Sequence, residues 1–116
     1  MLDWKQYRDE INARLRDIRT TKPDILKGYA ELHHANSAST HLDAKTRELI
    51  AVAVTLRCDG CINAHTEAAV KAGASKDEMV EALSVAIMVN AGAALIYSAR
   101  TMDALDTYTK PAGASS

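Results

Sequence analysis

Two thiols and an imidazole occur in the order Cys58-x-x-Cys61-x-x-x-His65. If these residues are helical, at about 100° per residue, Cys61 lies about 60° and His65 about 20° from Cys58 around the axis. All three side chains then project from one face, and Cys61 and His65 are neighbours one turn apart. A free thiol, with a pKa of about 8.5, supplies little thiolate at neutral pH. A helix N-terminus corrects this through its unpaired N–H groups and its dipole. Asp59 and Gly60 suit a helix start or bend, and Arg57 adds a positive charge nearby. His65 is then placed to act as a base toward Cys61 or to protonate a departing alkoxide.

Peroxide chemistry divides the labour between two such thiols. One thiolate attacks the O–O bond and becomes a sulfenic acid, and the second condenses with it to a disulfide and releases water. A two-residue spacer keeps both sulfurs within reach. The loop so closed is tiny, so the bond constrains the unfolded chain little and suits a switch better than a staple. The neighbouring His65 assigns the attack to Cys61 and the resolving step to Cys58. The helix-start argument favours the reverse order. Other readings of the same residues are a general disulfide oxidoreductase and a non-catalytic zinc module. In the zinc module, His65 would be the third ligand and His33 or His34 the fourth.

Helices must position this group. Trp4, Tyr7, Ile11, Leu15 and Ile18 form one stripe at helical spacing, broken at Thr20-Thr21-Lys22-Pro23. Pro23 suits the first turn of a second helix that carries Ile25, Leu26, Tyr29 and Leu32 and fades at Ala35-Asn36-Ser37. After a polar loop, Asp43 is the N-cap of a third helix reaching about Leu56. Its interior, Ala51-Val52-Ala53-Val54, is apolar all round and reads as a buried helix, because no strand partner exists for it. A fourth helix runs from the cysteines to Ala72, where Gly73 ends it. Ser75 and Glu78 form a capping box that opens a long apolar helix, with a possible interruption at Asn90-Ala91-Gly92-Ala93 and a last segment to Tyr108. This helix is rich in small residues, which suits either close internal packing or a subunit interface.

The 116 residues make one domain over 1–110 with a disordered tail over 111–116. Hydrophobic residues are 47% of the chain, yet it has no Phe and one Trp, so the core must come from Ala, Val, Ile and Leu. That composition points to an all-α domain of five to six helices packed antiparallel. A net charge of -1 excludes a broad nucleic-acid footprint. Arg8, Arg14, Arg16 and Arg19 alternate with Asp9, Glu10 and Asp17 and read as a solvated helix face. No apolar run reaches the roughly 18 residues needed to span a bilayer. Met1-Leu2-Asp3-Trp4 resembles no secretory signal. The expected compartment is cytoplasmic and reducing, where paired cysteines are catalytic or metal-binding rather than structural.

The segment from Leu42 to Ala51, then Arg57-Cys58-Asp59-Gly60-Cys61-Ile62-Asn63-Ala64-His65, resembles the alkylhydroperoxidase D-like branch of the carboxymuconolactone decarboxylase family. The likeness continues through Ala69 to Ser75 and Glu78 to Leu83, about residues 42 to 95 in all. It implies an all-helical homo-oligomer, a trimer or a hexamer. It also implies a peroxidase with no cofactor and no metal, reduced by a thiol partner such as a lipoyl-bearing or thioredoxin-like protein. Carried over by position, Cys61 reacts with the hydroperoxide, Cys58 resolves, His65 relays protons and Glu48 is the relay carboxylate. Two positions depart from the pattern. Some members carry a histidine where Gly60 stands, and Glu48 precedes Cys58 by ten residues rather than about twelve. Ten helical residues span about 15 Å. A bend near Arg57 or a neighbouring chain is therefore needed to bring Glu48 to the site, with Glu31 as another carboxylate source. The family's decarboxylating branch lacks the thiol pair.

Overall fold

A computed structural model describes residues 1–38, 40–55 and 57–111. Five helices follow one another in these residues: α1 (Trp4–Thr21), α2 (Pro23–Ser37), α3 (Ala44–Val54), α4 (Asp59–Lys71) and α5 (Lys76–Thr109). Among the described residues there is no strand, and the fold is all-α. Helix α1 packs on α2 and α4, while α3 lies between α4 and α5.

The helix ends follow from side-chain chemistry. Asp3 caps α1 by accepting from the Gln6 N–H at 3.1 Å, and Asp43 caps α3 by accepting from Thr46 at 2.7 Å. Helix α4 ends with Gly73 at φ 93°, a left-handed conformation that glycine adopts without a Cβ penalty. The Gly73 N–H then reaches the Val70 carbonyl and the Ala74 N–H that of Ala69, satisfying two otherwise orphaned acceptors. Two residues later the Ser75 hydroxyl accepts from the Glu78 N–H at 3.1 Å, and Glu78 accepts from the Ser75 N–H at 3.0 Å. These paired stops and starts set the turn between α4 and α5.

Three expectations are corrected. Helix α5 runs unbroken through Asn90 to Ala93, because the Asn90 amide donates to the Ala86 carbonyl one turn back and stays within the helix. By length and composition α5 is long and apolar enough to cross a bilayer, because the stretch from Ala82 to Ala99 carries no charged residue and its scattered Ser, Asn and Gly leave it apolar on balance. Arg8 is not merely solvated. It donates to Glu67 at 2.6 Å and ties α1 to α4. Of the expected tail, residues 112–116 lie outside the described residues.

The core is smaller than a 116-residue domain can build. Val52, Ala69 and Ala86 are its buried hydrophobic residues among those described. The apolar end of α3 is buried only in part: Val52 is enclosed, but Val54 is 75% exposed. Polar ties between helices supplement this packing. Lys45 on α3 donates to Glu78 on α5 at 2.9 Å, and Asn63 on α4 donates to the Trp4 carbonyl on α1.

Two tests follow from these ties. Ser75→Ala removes the α5 cap and should lower stability by about 1 kcal/mol, read as a fall of roughly 5 °C in the melting midpoint. The second is an acid profile. The hydrogen bond from Lys45, then that from the Ser75 N–H, hold the Glu78 carboxyl below its ordinary range. Lys71, then Arg8, do the same for Glu67. A carboxylate with a lowered native pKa contributes stability that is fully present above the unfolded value and lost as pH falls through the native one. The melting midpoint should therefore hold from neutral pH down to about 4.3 and drop below it. Glu78→Gln should flatten that drop.

Candidate active site

Helix α4 begins at the thiols. Cys58 is its N-cap, with extended backbone, and its Sγ accepts from the Cys61 N–H at 3.2 Å. The two sulfurs are joined as a disulfide across a Cα–Cα separation of 5.2 Å. Cys58 is exposed and Cys61 is half-buried. An N-cap sulfur in this position faces unpaired N–H groups and the positive end of the helix dipole, both of which favour its thiolate once the bond is reduced.

The turn before the thiols sets the second half of the site. The Thr55 hydroxyl, buried, donates to the Val52 carbonyl at 2.9 Å, and the Cys58 N–H donates to the Thr55 carbonyl at 3.2 Å. The chain thereby ends α3 and returns as α4 alongside it. Glu48 does not have to reach across ten helical residues. It faces His65 from the adjacent helix, with Glu48 Oε2 and His65 Nδ1 2.8 Å apart. Both side chains are mostly buried, at 22% and 25% exposure. An ionised carboxylate can only accept, so Nδ1 carries the proton and Nε2 is left to exchange one. Glu31, the other carboxylate considered, is exposed on α2.

The structure brings Cys58 and Cys61 together and Glu48 and His65 together, with one turn of α4 between Cys61 and His65. Among the described residues no hydrogen bond joins the imidazole to either sulfur. The disulfide and the imidazole open on adjacent clefts, and Glu48 lies behind His65 and lines neither. The thiols line a mostly apolar groove of about 550 Å³ with Tyr7, Ile11, Leu15 and Ile25 from α1 and α2. His65 lines a cleft of about 420 Å³ between α2 and α3, beside Leu32, His33, Arg47 and Val54. Tyr29 stands in the wall of both.

Tyr29 is the residue the sequence did not single out, since a tyrosine on an apolar stripe reads as packing. Its shared position emerges only when α2 crosses the two clefts. Of the adjacent histidines, His33 faces the His65 cleft and His34 does not line it. Gly60, which stands where some relatives have a histidine, borders the thiol groove, and a Cβ there would meet nothing within 4 Å. Among the described residues no three His, Cys, Asp or Glu side chains converge as a metal site.

Comparison with known proteins agrees with this architecture. The model of the carboxymuconolactone decarboxylase family matches residues 23–104. An uncharacterized protein of Haemophilus influenzae is 48% identical over 104 residues, covering 88% of this chain and 92% of its own. A protein from the cox locus of Paracoccus denitrificans is 39% identical over 99 residues, covering 84% and 89%. The crystal structure of an apo carboxymuconolactone decarboxylase family protein from Legionella pneumophila superposes with a TM-score of 0.70 at 31% identity, covering 92% of this chain and 97% of that one. A structure from Methanobacterium thermoautotrophicum gives 0.67 at 27% identity, covering 75% and 97%. The helical order, the family match over most of the chain and these neighbours lead to one assignment: the protein belongs to the carboxymuconolactone decarboxylase family.

Proposed function

We propose that the chain is a thiol-dependent peroxidase of the alkylhydroperoxidase D-like branch. The observation that carries this reading is a bonded Cys58–Cys61 pair at a helix start, one turn from an imidazole held by a carboxylate. The Cys61 thiolate attacks the terminal oxygen of a hydroperoxide. The O–O bond breaks, the leaving alkoxide takes a proton from His65, and Cys61 becomes a sulfenic acid. The Cys58 thiol then attacks that sulfur, forming the disulfide and releasing water. Glu48 fixes the orientation of the imidazole. Two electrons and two protons from an external dithiol, on a lipoyl-bearing or thioredoxin-like protein, return both sulfurs to thiols. The exposed Cys58 is the sulfur such a partner reaches first. A cytoplasmic location supplies the reducing partner, and a homo-trimer or homo-hexamer is the working assembly.

The decarboxylase reading of the same family has no use for a redox-active pair. The zinc reading requires both sulfurs as free ligands. A general disulfide oxidoreductase would use the same pair, but it has no need of the Glu48–His65 relay.

Two experiments test the proposal. Intact mass of the reduced protein should fall by the two hydrogens of one disulfide after stoichiometric hydroperoxide. Cys61→Ser should abolish consumption, whereas Cys58→Ser should consume one equivalent and leave a sulfenic acid that dimedone traps. Thiols still titratable after peroxide would end the peroxidase reading, and one equivalent consumed by Cys61→Ser, with the dimedone adduct on Cys58, would reverse the roles. The relay is tested separately. Glu48→Gln should lower kcat by about 10²-fold, in the range of a lost proton-transfer contribution, and change its pH dependence while leaving thiol–disulfide exchange with dithiothreitol unaltered.

A further inference from the structure

A chain of 12.5 kDa carries 9434 Å² of accessible surface, against about 6,200 Å² for a folded monomer of that mass. Its radius of gyration is 20.6 Å, against about 13 Å for a compact domain of this length. The surplus of about 3,000 Å² is the size of surface that obligate assemblies bury.

Two unpartnered apolar faces account for much of it. The first is the distal half of α5. Its proximal half packs on α3 through Ala86, but every residue from 91 to 109 is exposed. Around the axis, Arg100, Asp103 and Asp106 fall within a sector of roughly 120°, while Leu95, Met102, Leu105 and Tyr108 lie outside it. The distal half is thus amphipathic, with an apolar stripe shaped for a protein groove rather than for a bilayer, which would have to take up the charges as well. The second face is the rim of the His65 cleft, where Tyr29, Leu32, Ile50 and Val54 are all exposed. Arg47 in that cleft donates to the Leu42 carbonyl, and its charge also acts on Asp43, but among the described residues no carboxylate lies within ion-pair distance of it, and no cation lies within that distance of Asp103 on α5.

We propose that the distal half of α5 from one copy seats in the α2–α3 groove of a second copy, over the cleft that holds His65. The seated arm supplies the wall that the isolated chain lacks. It shields the Glu48–His65 pair from water and brings Asp103 toward Arg47. The inference rests on the homo-oligomer proposed above and not on the peroxidase chemistry.

The test uses the full chain. Light scattering should give a multiple of 12.5 kDa. Leu105→Asp should move it toward the single-chain mass and raise the carbethoxylation rate of His65 severalfold, and Leu105→Met should do neither. Met102→benzoylphenylalanine, photolysed in a mixture of isotopically light and heavy chains, should cross-link to peptides spanning 29–54 of the other copy. That variant stays apolar, so it decides the matter if Leu105→Asp fails to fold by circular dichroism. An oligomer whose cross-links run only from α5 to α5, or whose mass is unmoved by a folded Leu105→Asp, overturns the inference and spares the assembly. A single-chain mass overturns both, as does flotation of the protein with phosphatidylglycerol–phosphatidylcholine vesicles in place of assembly.

Discussion

If α3 ran on into α4, the carboxylate and the imidazole would sit far apart on one long rod. The turn at Thr55–Cys58 prevents this. The buried Thr55 hydroxyl closes the last carbonyls of α3, and the Thr55 carbonyl takes the Cys58 N–H. Three things follow from that one reversal. Helix α4 lies against α3, Glu48 meets His65 across the contact, and Cys58 becomes the N-cap of a new helix instead of an interior residue of an old one. Pairing, orientation and thiol activation all depend on where the chain folds back.

Much of this was legible before any coordinates. Asp43, Ser75 and Gly73 act through hydrogen bonds to residues three to five positions away, so their roles are local and visible in the spacing. Of the single face expected for Cys58, Cys61 and His65, only Cys61 and His65 lie within α4: Cys58 is its extended N-cap, and the thiols and the imidazole line different clefts. Glu48 was harder, because counting residues along a helix gives a distance only while the helix continues. The resemblance points to Glu48 as the relay carboxylate, whereas its contact with His65 arises between helices. Tyr29, Arg8–Glu67 and Lys45–Glu78 were invisible for the same reason: each depends on which helices lie side by side.

Burial was the poorest expectation. Composition showed ample apolar residues for a core, but not whether one chain could gather them. Small side chains on α3, α4 and α5 let those helices approach, and Val52, Ala69 and Ala86, one on each, are the hydrophobic residues buried among those described. Much of the remaining apolar surface, including Tyr29 and Leu32 on α2 and Leu95 and Met102 on α5, is exposed. A long α5 and a two-helix lead of α1 and α2 spread the chain over 59 × 40 × 34 Å. The same amino acids that would make an enclosed core in another topology here lie on the exterior.

The sulfur of Cys58 caps its helix, and capping works in both directions. Whatever free energy the helix start lends to the thiolate, the thiolate returns to the helix, because one cycle links reduction to folding. Stabilising the reduced, ionised sulfur makes the disulfide the more eager electron acceptor and makes the reduced chain the sturdier of the two forms. A change far along α4 that loosened its first turn would therefore be felt as a change in reducing power, even though it touched neither cysteine.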